Sequence, residues 1–173
     1  MPGDLVIATE RFDLRLLVGD DAAELQRLYG DPEAMRYVGA DGRARTPEQT
    51  VRGVGRLIHH QEQHGYSLWA VTERETGEVI GVAGLVLEDF EGPEAEVVYE
   101  LQRDRWGRGI ATEVARACLE VAFERLELGR VIALAYPENG PSVRVMQKIG
   151  MQPDGEVEAY GRRMVRYVAV NQE

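Results

Sequence analysis

The chain has 173 residues, 44% of them hydrophobic and 29% charged, which is the composition of a single globular domain spanning 1–173. Its formal net charge of −10 argues against general affinity for nucleic acid or anionic membranes, because both require a basic surface. No apolar run approaches the roughly 20 residues that span a bilayer. The N-terminus lacks a signal-peptide pattern, and the single cysteine, Cys118, cannot form an internal disulfide. We therefore expect a cytoplasmic protein without a membrane partner.

The first half of the chain predicts one strand, then helices, then a pair of strands. Apolar residues alternate with charged ones in the first strand, and capping residues mark the helix starts. The predicted elements are a strand within 8–17, helices capped by Asp20 or Asp21, near 33–38 and from Thr46 to Gly65, and strands at 68–71 and 79–87. Thr76-Gly77 predicts a hairpin turn between the last two strands, and polar loops are expected at 39–45 and 91–93.

The second half alternates strands and helices before a terminal hairpin. Its predicted elements are a strand at 96–101, a helix from Ile110 to Gly129, a strand at 131–136, a helix at 143–149, and strands at 152–159 and 162–170. The whole order predicts a mixed α/β sheet rather than an alternating doubly wound one.

The turn between the strand at 96–101 and the long helix has the features of an anion site. Backbone N–H groups in the first turn of a helix lack internal partners, and the helix dipole is positive there. Gly107 and Gly109 permit close approach to the backbone. Three arginines add positive charge, namely Arg103, Arg105 and Arg108. A phosphate or pyrophosphate is the favoured ligand; the alternative is a turning loop with solvated arginines.

These motifs, in this order, resemble the GNAT superfamily of N-acetyltransferases, in its RimJ/RimL-like branch of ribosomal-protein alanine acetyltransferases. The resemblance extends over nearly the full length, and its central motif is Trp-Gly-Arg-Gly-Ile-Ala-Thr-Glu at 106–113. The other matching segments are 9–15, 76–81, 99–101, 139–142 and 148–150. The resemblance implies a single-domain α/β (α+β) fold flanked by helices. Its sheet is mixed and mostly antiparallel, with about seven strands, splayed between strands 4 and 5 at 96–101 and 131–136.

The resemblance also implies acetyl-CoA as cosubstrate, no metal, and direct attack of a primary amine on the thioester. The pyrophosphate would rest on backbone N–H groups of 107–112, and the pantetheine arm would lie in the sheet gap, with the Leu101 N–H near the thioester carbonyl. The implied cofactor contacts are Leu101, Arg103, Trp106, Gly107, Arg108, Gly109, Ile110, Ala111, Thr112, Asn139 and Ser142. One or two of the three arginines are expected to meet phosphates.

Two residues are the catalytic candidates. Glu100 is the best general-base candidate, because strand alternation places it with Glu96 and Val98 on one face; the alternative is a solvated glutamate. In this branch a serine at the position of Ser142 is proposed to assist the leaving thiolate; the alternative is a helix N-cap hydroxyl. Met146 stands where the family often has a tyrosine general acid, and a thioether cannot donate a proton.

Other residue patterns favour structural roles. His60 and His64 have the spacing of a metal pair, but no suitable third ligand lies near, so we expect no metal site. Cys118 is expected in the core, and Tyr99 is expected to pack rather than catalyse.

Several alternatives stay open. The acceptor is a protein N-terminus, a polyamine, an amino acid or a drug amine, selected by loops near 30–45, 60–66 and 158–163. A non-catalytic acyl-CoA sensor and a nucleotide-binding protein are the other functional hypotheses, and a homodimer is left open.

Overall fold

A computed structural model describes residues 3–39, 41–88 and 92–172. In these residues eight strands form one sheet: β1 Leu5–Ala8, β2 Phe12–Arg15, β3 Leu68–Glu73, β4 Val79–Leu87, β5 Ala95–Leu101, β6 Arg130–Ala135, β7 Gln152–Ala159 and β8 Arg162–Val170. Five α-helices flank it: α1 Asp21–Tyr29, α2 Pro32–Met35, α3 Pro47–His64, α4 Ile110–Glu124 and α5 Gly140–Lys148. Of the predicted loops at 39–45 and 91–93, Ala40 and Glu91 lie outside the described residues.

The sheet has the order β1-β2-β3-β4-β5-β6-β8-β7. Its neighbours are antiparallel except β5 and β6, which run parallel. Among the described residues these two strands pair at a single position, Glu96 with Ile132, and they separate toward their carboxyl ends. The predicted splay is therefore confirmed. The sheet has eight strands rather than seven because β1 precedes the first predicted strand, which corresponds to β2. The two strands form a hairpin, closed where the Thr9 N–H donates to the Phe12 carbonyl (2.8 Å).

Each face of the sheet has its own hydrophobic core. Helices α4 and α5 pack on one face, where Val97 and Leu101 of β5 join the larger core with Val114 and Met146. Helices α1 and α3 pack on the other face, where Val98 contacts the second core. Successive β5 side chains thus point to opposite layers, as predicted, and Glu100 lies on the face away from α4.

The helix boundaries follow from local capping. Thr46 and Gln49 form a reciprocal capping box at the start of α3, which ends at Gly65 with φ of 79°, as predicted. The prediction that the long helix reaches Gly129 is wrong, because α4 ends at Glu124. Glu127 has φ of 54°, and a left-handed residue cannot continue a right-handed helix. None of the described helices is both long and apolar enough to cross a bilayer.

Candidate active site

The turn before α4 presents an open helix N-terminus. Gly107 and Gly109 have φ of 75° and 72°, a conformation that L side chains rarely adopt. Gly109 is the N-cap residue and provides no side-chain hydrogen bond to the first turn. Residues 106–109 are exposed, whereas Ile110 is buried and anchors the helix. The first backbone N–H groups of α4 therefore face solvent at the open end of the splayed sheet, where they can donate to an anion.

Two of the three arginines near this turn are paired with carboxylates. Arg103 Nε lies 3.1 Å from Asp31 Oδ2. Arg105 contacts both Glu73 and Glu78, and its side chain is only 15% exposed. Burial lowers the pKa of Arg105, with the charge of Arg108 as a further cause.

Arg108 differs from both. It is exposed, and its guanidinium has no hydrogen bond or ion pair with the residues the structure describes. Arg108 is therefore the arginine best placed to meet an additional anion.

At the carboxyl end of β5, backbone N–H and carbonyl groups face the gap between β5 and β6. The Gln102 N–H donates to the Ile80 carbonyl of β4 (2.9 Å). Because alternate residues of an antiparallel strand point their N–H groups to opposite sides, the Leu101 N–H points toward β6. The Leu101 carbonyl accepts a hydrogen bond from Trp106 Nε1 (3.0 Å). Trp106 thus ties the turn to the strand end, and the Leu101 N–H faces the space where β5 and β6 separate.

Ser142 and Tyr99 form a hydrogen-bonded pair beside this gap. The Tyr99 hydroxyl donates to the Ser142 carbonyl (2.9 Å) and lies 3.0 Å from Ser142 Oγ. Burial raises the pKa of Tyr99 to about 12, so the phenol is protonated at neutral pH. The Ser142 hydroxyl therefore lies against the hydroxyl of Tyr99.

The N-cap alternative for Ser142 is wrong. Asn139 is the N-cap of α5, and its Oδ1 accepts from the Ser142 N–H (3.4 Å). The hydroxyl of Ser142 is thus not used for capping. The helix itself begins at Gly140, three residues before the predicted start.

Glu100 is partly buried and hydrogen bonded. Its Oε1 accepts from the Tyr29 hydroxyl (3.0 Å). Burial raises the pKa of Glu100, while the positive charge of Arg45 and the Tyr29 hydrogen bond oppose this shift. The alternative of a freely solvated glutamate does not fit this environment. A carboxylate with a raised pKa is better suited to accept a proton near neutral pH.

Two of the three loops expected to select the acceptor come together at the end of β6. Tyr37 and Tyr136 have ring centroids 5.9 Å apart, and the Arg162 guanidinium lies 5.1 Å from the Tyr136 ring centroid. On the same side, the Tyr160 hydroxyl donates to Glu96 (2.7 Å). The loops at 30–45 and 158–163 therefore border one surface, on the same face of the sheet as Glu100.

The third loop, at 60–66, lies at the other end of β4. His60 Nδ1 is 2.9 Å from the Tyr66 carbonyl, and the Leu87 N–H donates to His60 Nε2 (3.2 Å). Both ring nitrogens of His60 are thus hydrogen bonded to the backbone, so neither is free to bind a metal ion. No group of three or more metal-ligating side chains occurs among the described residues.

Cys118 and Met146 are both in the core. Cys118 is fully buried, which raises the pKa of its thiol, and Met146 is 1% exposed. The position that the family often gives to a tyrosine acid is therefore filled by an apolar side chain in this chain.

Residues that the sequence did not single out as functional lie beside the candidate site. The Tyr29 hydroxyl donates to Glu100, which is 71 residues further along the sequence. Glu113 accepts hydrogen bonds from Thr9 and Arg11, which precede it by more than 100 residues. Only the helical spacing around Tyr29 and the acidic residue in the first turn of α4 were visible in the sequence. Neither signal identifies the partner.

An eight-stranded splayed sheet, with an exposed amide-lined helix start at its open end, defines an acetyltransferase of the GNAT class. The family described as "Acetyltransferase (GNAT) domain" matches residues 11–152. The chain belongs to this family, and the prediction of an N-acetyltransferase is confirmed.

Similar proteins cover nearly the whole chain. An uncharacterized N-acetyltransferase p20 of Bacillus licheniformis is 31% identical over 163 residues, 94% of this chain and 90% of that protein. The GNAT-family acetyltransferase from Bacillus anthracis has a TM-score of 0.81 at 23% identity, covering 96% of this chain and 99% of the other. RimL, a ribosomal L7/L12 α-N-protein acetyltransferase solved in complex with coenzyme A, has a TM-score of 0.80 at 16% identity, covering 97% and 98%. The two structures share the fold, which is consistent with the RimJ/RimL-like resemblance.

Proposed function

We propose that this protein transfers the acetyl group of acetyl-CoA to a primary amine, by direct attack of the amine on the thioester. The observation that carries the proposal is the uncapped, exposed start of α4 beside the separated ends of β5 and β6. The acceptor is either a protein N-terminal α-amine or the amine of a small molecule.

The residues of this turn fit the diphosphate of acetyl-CoA. Two left-handed glycines shape the turn, and an anion at such a helix start gains roughly 0.3–1 kcal/mol from the dipole, up to about 2 kcal/mol when partly buried. Exposed Arg108 adds a positive charge. The Leu101 N–H, directed toward the strand gap, suits an extended arm that pairs with the β5 edge and a carbonyl that develops negative charge. The likeness to RimL, solved with coenzyme A, supports the same donor.

Glu100 and Ser142 would handle the two proton transfers. The incoming ammonium loses a proton to Glu100, whose pKa is raised by burial. As the new N–C bond forms and the C–S bond breaks, the departing thiolate takes a proton from the Ser142 hydroxyl, which Tyr99 holds in place. The attacking nitrogen gives up its second proton to restore the serine hydroxyl, so that the products are a neutral amide and the CoA thiol. Glu100 points to the face away from α4 and Ser142 lies beside α4. The amine and the acetyl donor would therefore approach from opposite faces of the sheet.

A non-catalytic acyl-CoA-binding sensor is the second candidate, because apolar Met146 replaces the usual tyrosine acid. The two functions are separated by measuring free CoA release from acetyl-CoA with N-terminal peptides, polyamines and aminoglycosides as acceptors. The enzyme predicts steady release with at least one acceptor class, far above hydrolysis without acceptor. Binding of CoA by calorimetry without turnover for any amine would favour the sensor instead.

A further inference from the structure

Glu113 places a carboxylate in the first turn of α4, immediately beside the proposed diphosphate site. A negative side chain there is favourable for the helix dipole of the free protein. The same charge repels a bound anion, because like charges a few ångströms apart disfavour each other. An anion-binding turn with a carboxylate at its edge therefore needs a counter-charge.

Arg11 supplies that counter-charge from the turn between β1 and β2. Its Nε lies 2.7 Å from Glu113 Oε1, and its backbone N–H donates to Glu113 Oε2 (3.0 Å). Thr9 Oγ1 donates to the same Oε2 (2.7 Å). Both carboxylate oxygens are thus engaged by the hairpin.

The electrostatics of Glu113 agree with this geometry. Burial on its own would raise the pKa of Glu113, but the hydrogen bonds from Thr9 and Arg11 outweigh it and hold the pKa below its usual range. The carboxylate is therefore ionised at neutral pH, and its charge must be balanced rather than removed by protonation.

Arg11 also reaches the turn itself. Its Nη2 donates to the Arg108 carbonyl (3.1 Å), between the two left-handed glycines. One side chain thus contacts both the acidic group at the helix start and the backbone of the turn.

We propose that Arg11 is a positioning residue for the donor site, which neutralises Glu113 so that the start of α4 can accept the diphosphate of acetyl-CoA. The inference rests on the proposed function. It makes the N-terminal hairpin part of the cosubstrate site although the hairpin lies at the far edge of the sheet from β6.

The test compares CoA dissociation constants by calorimetry for wild type, Arg11→Ala, Glu113→Gln and the double variant. At a separation of several ångströms in a largely aqueous setting, an unpaired carboxylate weakens binding of a dianion roughly three- to tenfold. Arg11→Ala is expected to lose this much affinity and to raise KM for acetyl-CoA with kcat unchanged. Glu113→Gln is expected to bind at least as tightly as wild type, and the double variant to recover most of the loss.

Arg125→Ala is the matched control. Arg125 caps the other end of α4, about 22 Å away by helical rise, and its Nη1 donates to the Val6 carbonyl of the same hairpin (2.6 Å). This variant removes the same charge and a similar hairpin contact, and is expected to bind CoA as wild type does.

Three results would overturn the inference: an unchanged dissociation constant for Arg11→Ala, a double variant as weak as Arg11→Ala, or an equal loss for Arg125→Ala. Wild-type protein that fails to bind CoA would refute the proposed function as well, so the two failures are distinguishable.

Discussion

Gly81→Ala tests whether the end of β5 is part of the active site. Gly81 lies in β4 opposite Leu101, and a Cβ added to it would come within 2.2 Å of the Glu100 carbonyl oxygen and 2.9 Å of Leu101 Cα. These are backbone atoms, so β5 must move. Overpacking of this kind costs about 1–3 kcal/mol. For a chain of this length the corresponding fall in Tm is roughly 2–12 °C.

Gly84→Ala provides a matched control in the same strand. A Cβ on Gly84 would lie 2.1 Å from the Ser67 carbonyl oxygen and 2.9 Å from Leu68 Cα, so it pushes β3 by a similar amount. We expect both variants to lose comparable stability in thermal unfolding. Only Gly81→Ala should also lose kcat/KM for acetyl-CoA at temperatures where it is folded, by roughly tenfold to a hundredfold, because it displaces site atoms by a fraction of an ångström. Equal activity losses in the two variants would refute the placement of the site at β5.

Three further predictions concern single side chains. Ser142→Ala is expected to lower kcat by about 10²-fold or more. Tyr99→Phe is expected to lower kcat by less, because it keeps the serine hydroxyl and removes only its hydrogen-bond partner. Unchanged turnover in Ser142→Ala would exclude Ser142 as the proton donor. Glu100→Gln abolishes the acidic limb of the pH–rate profile, because the variant has no carboxylate to act as base. Because burial raises the pKa of Glu100 in the folded protein, the free energy of unfolding of the wild type also falls as pH rises through that pKa, whereas that of the variant does not. An unaltered profile would exclude Glu100 as base. Burial lowers the pKa of His60 in the folded protein. The contribution of His60 to the free energy of unfolding is therefore present above the pKa of the unfolded chain, and it is lost as pH falls through the pKa of the folded protein. Wild-type Tm should therefore fall more steeply than that of His60→Gln on acidification, and parallel curves would contradict this.

Local patterns predicted the parts of the site that lie close together in sequence. The change from strand to helix periodicity located the turn at 106–113, and strand alternation placed Glu100 on the same face of its strand as Glu96 and Val98. Both depend on neighbouring residues of one segment, which is the range over which backbone geometry fixes side-chain direction.

Long-range pairing could not be predicted in the same way. One or two of Arg103, Arg105 and Arg108 were expected to meet phosphates. Asp31, Glu73 and Glu78, which lie in other parts of the fold, form ion pairs with the first two. These contacts depend on how the helices and strands pack, and many acidic residues of this chain could have been the partners. Strand β1 was not predicted, because a four-residue strand shows little periodicity.

The most direct test of the central claim is a crystal structure of the protein with CoA. We expect the diphosphate to lie within hydrogen-bonding distance of the backbone N–H groups of 107–112, with the pantetheine arm between β5 and β6. A diphosphate bound elsewhere, with the start of α4 left in contact with solvent, would contradict the account.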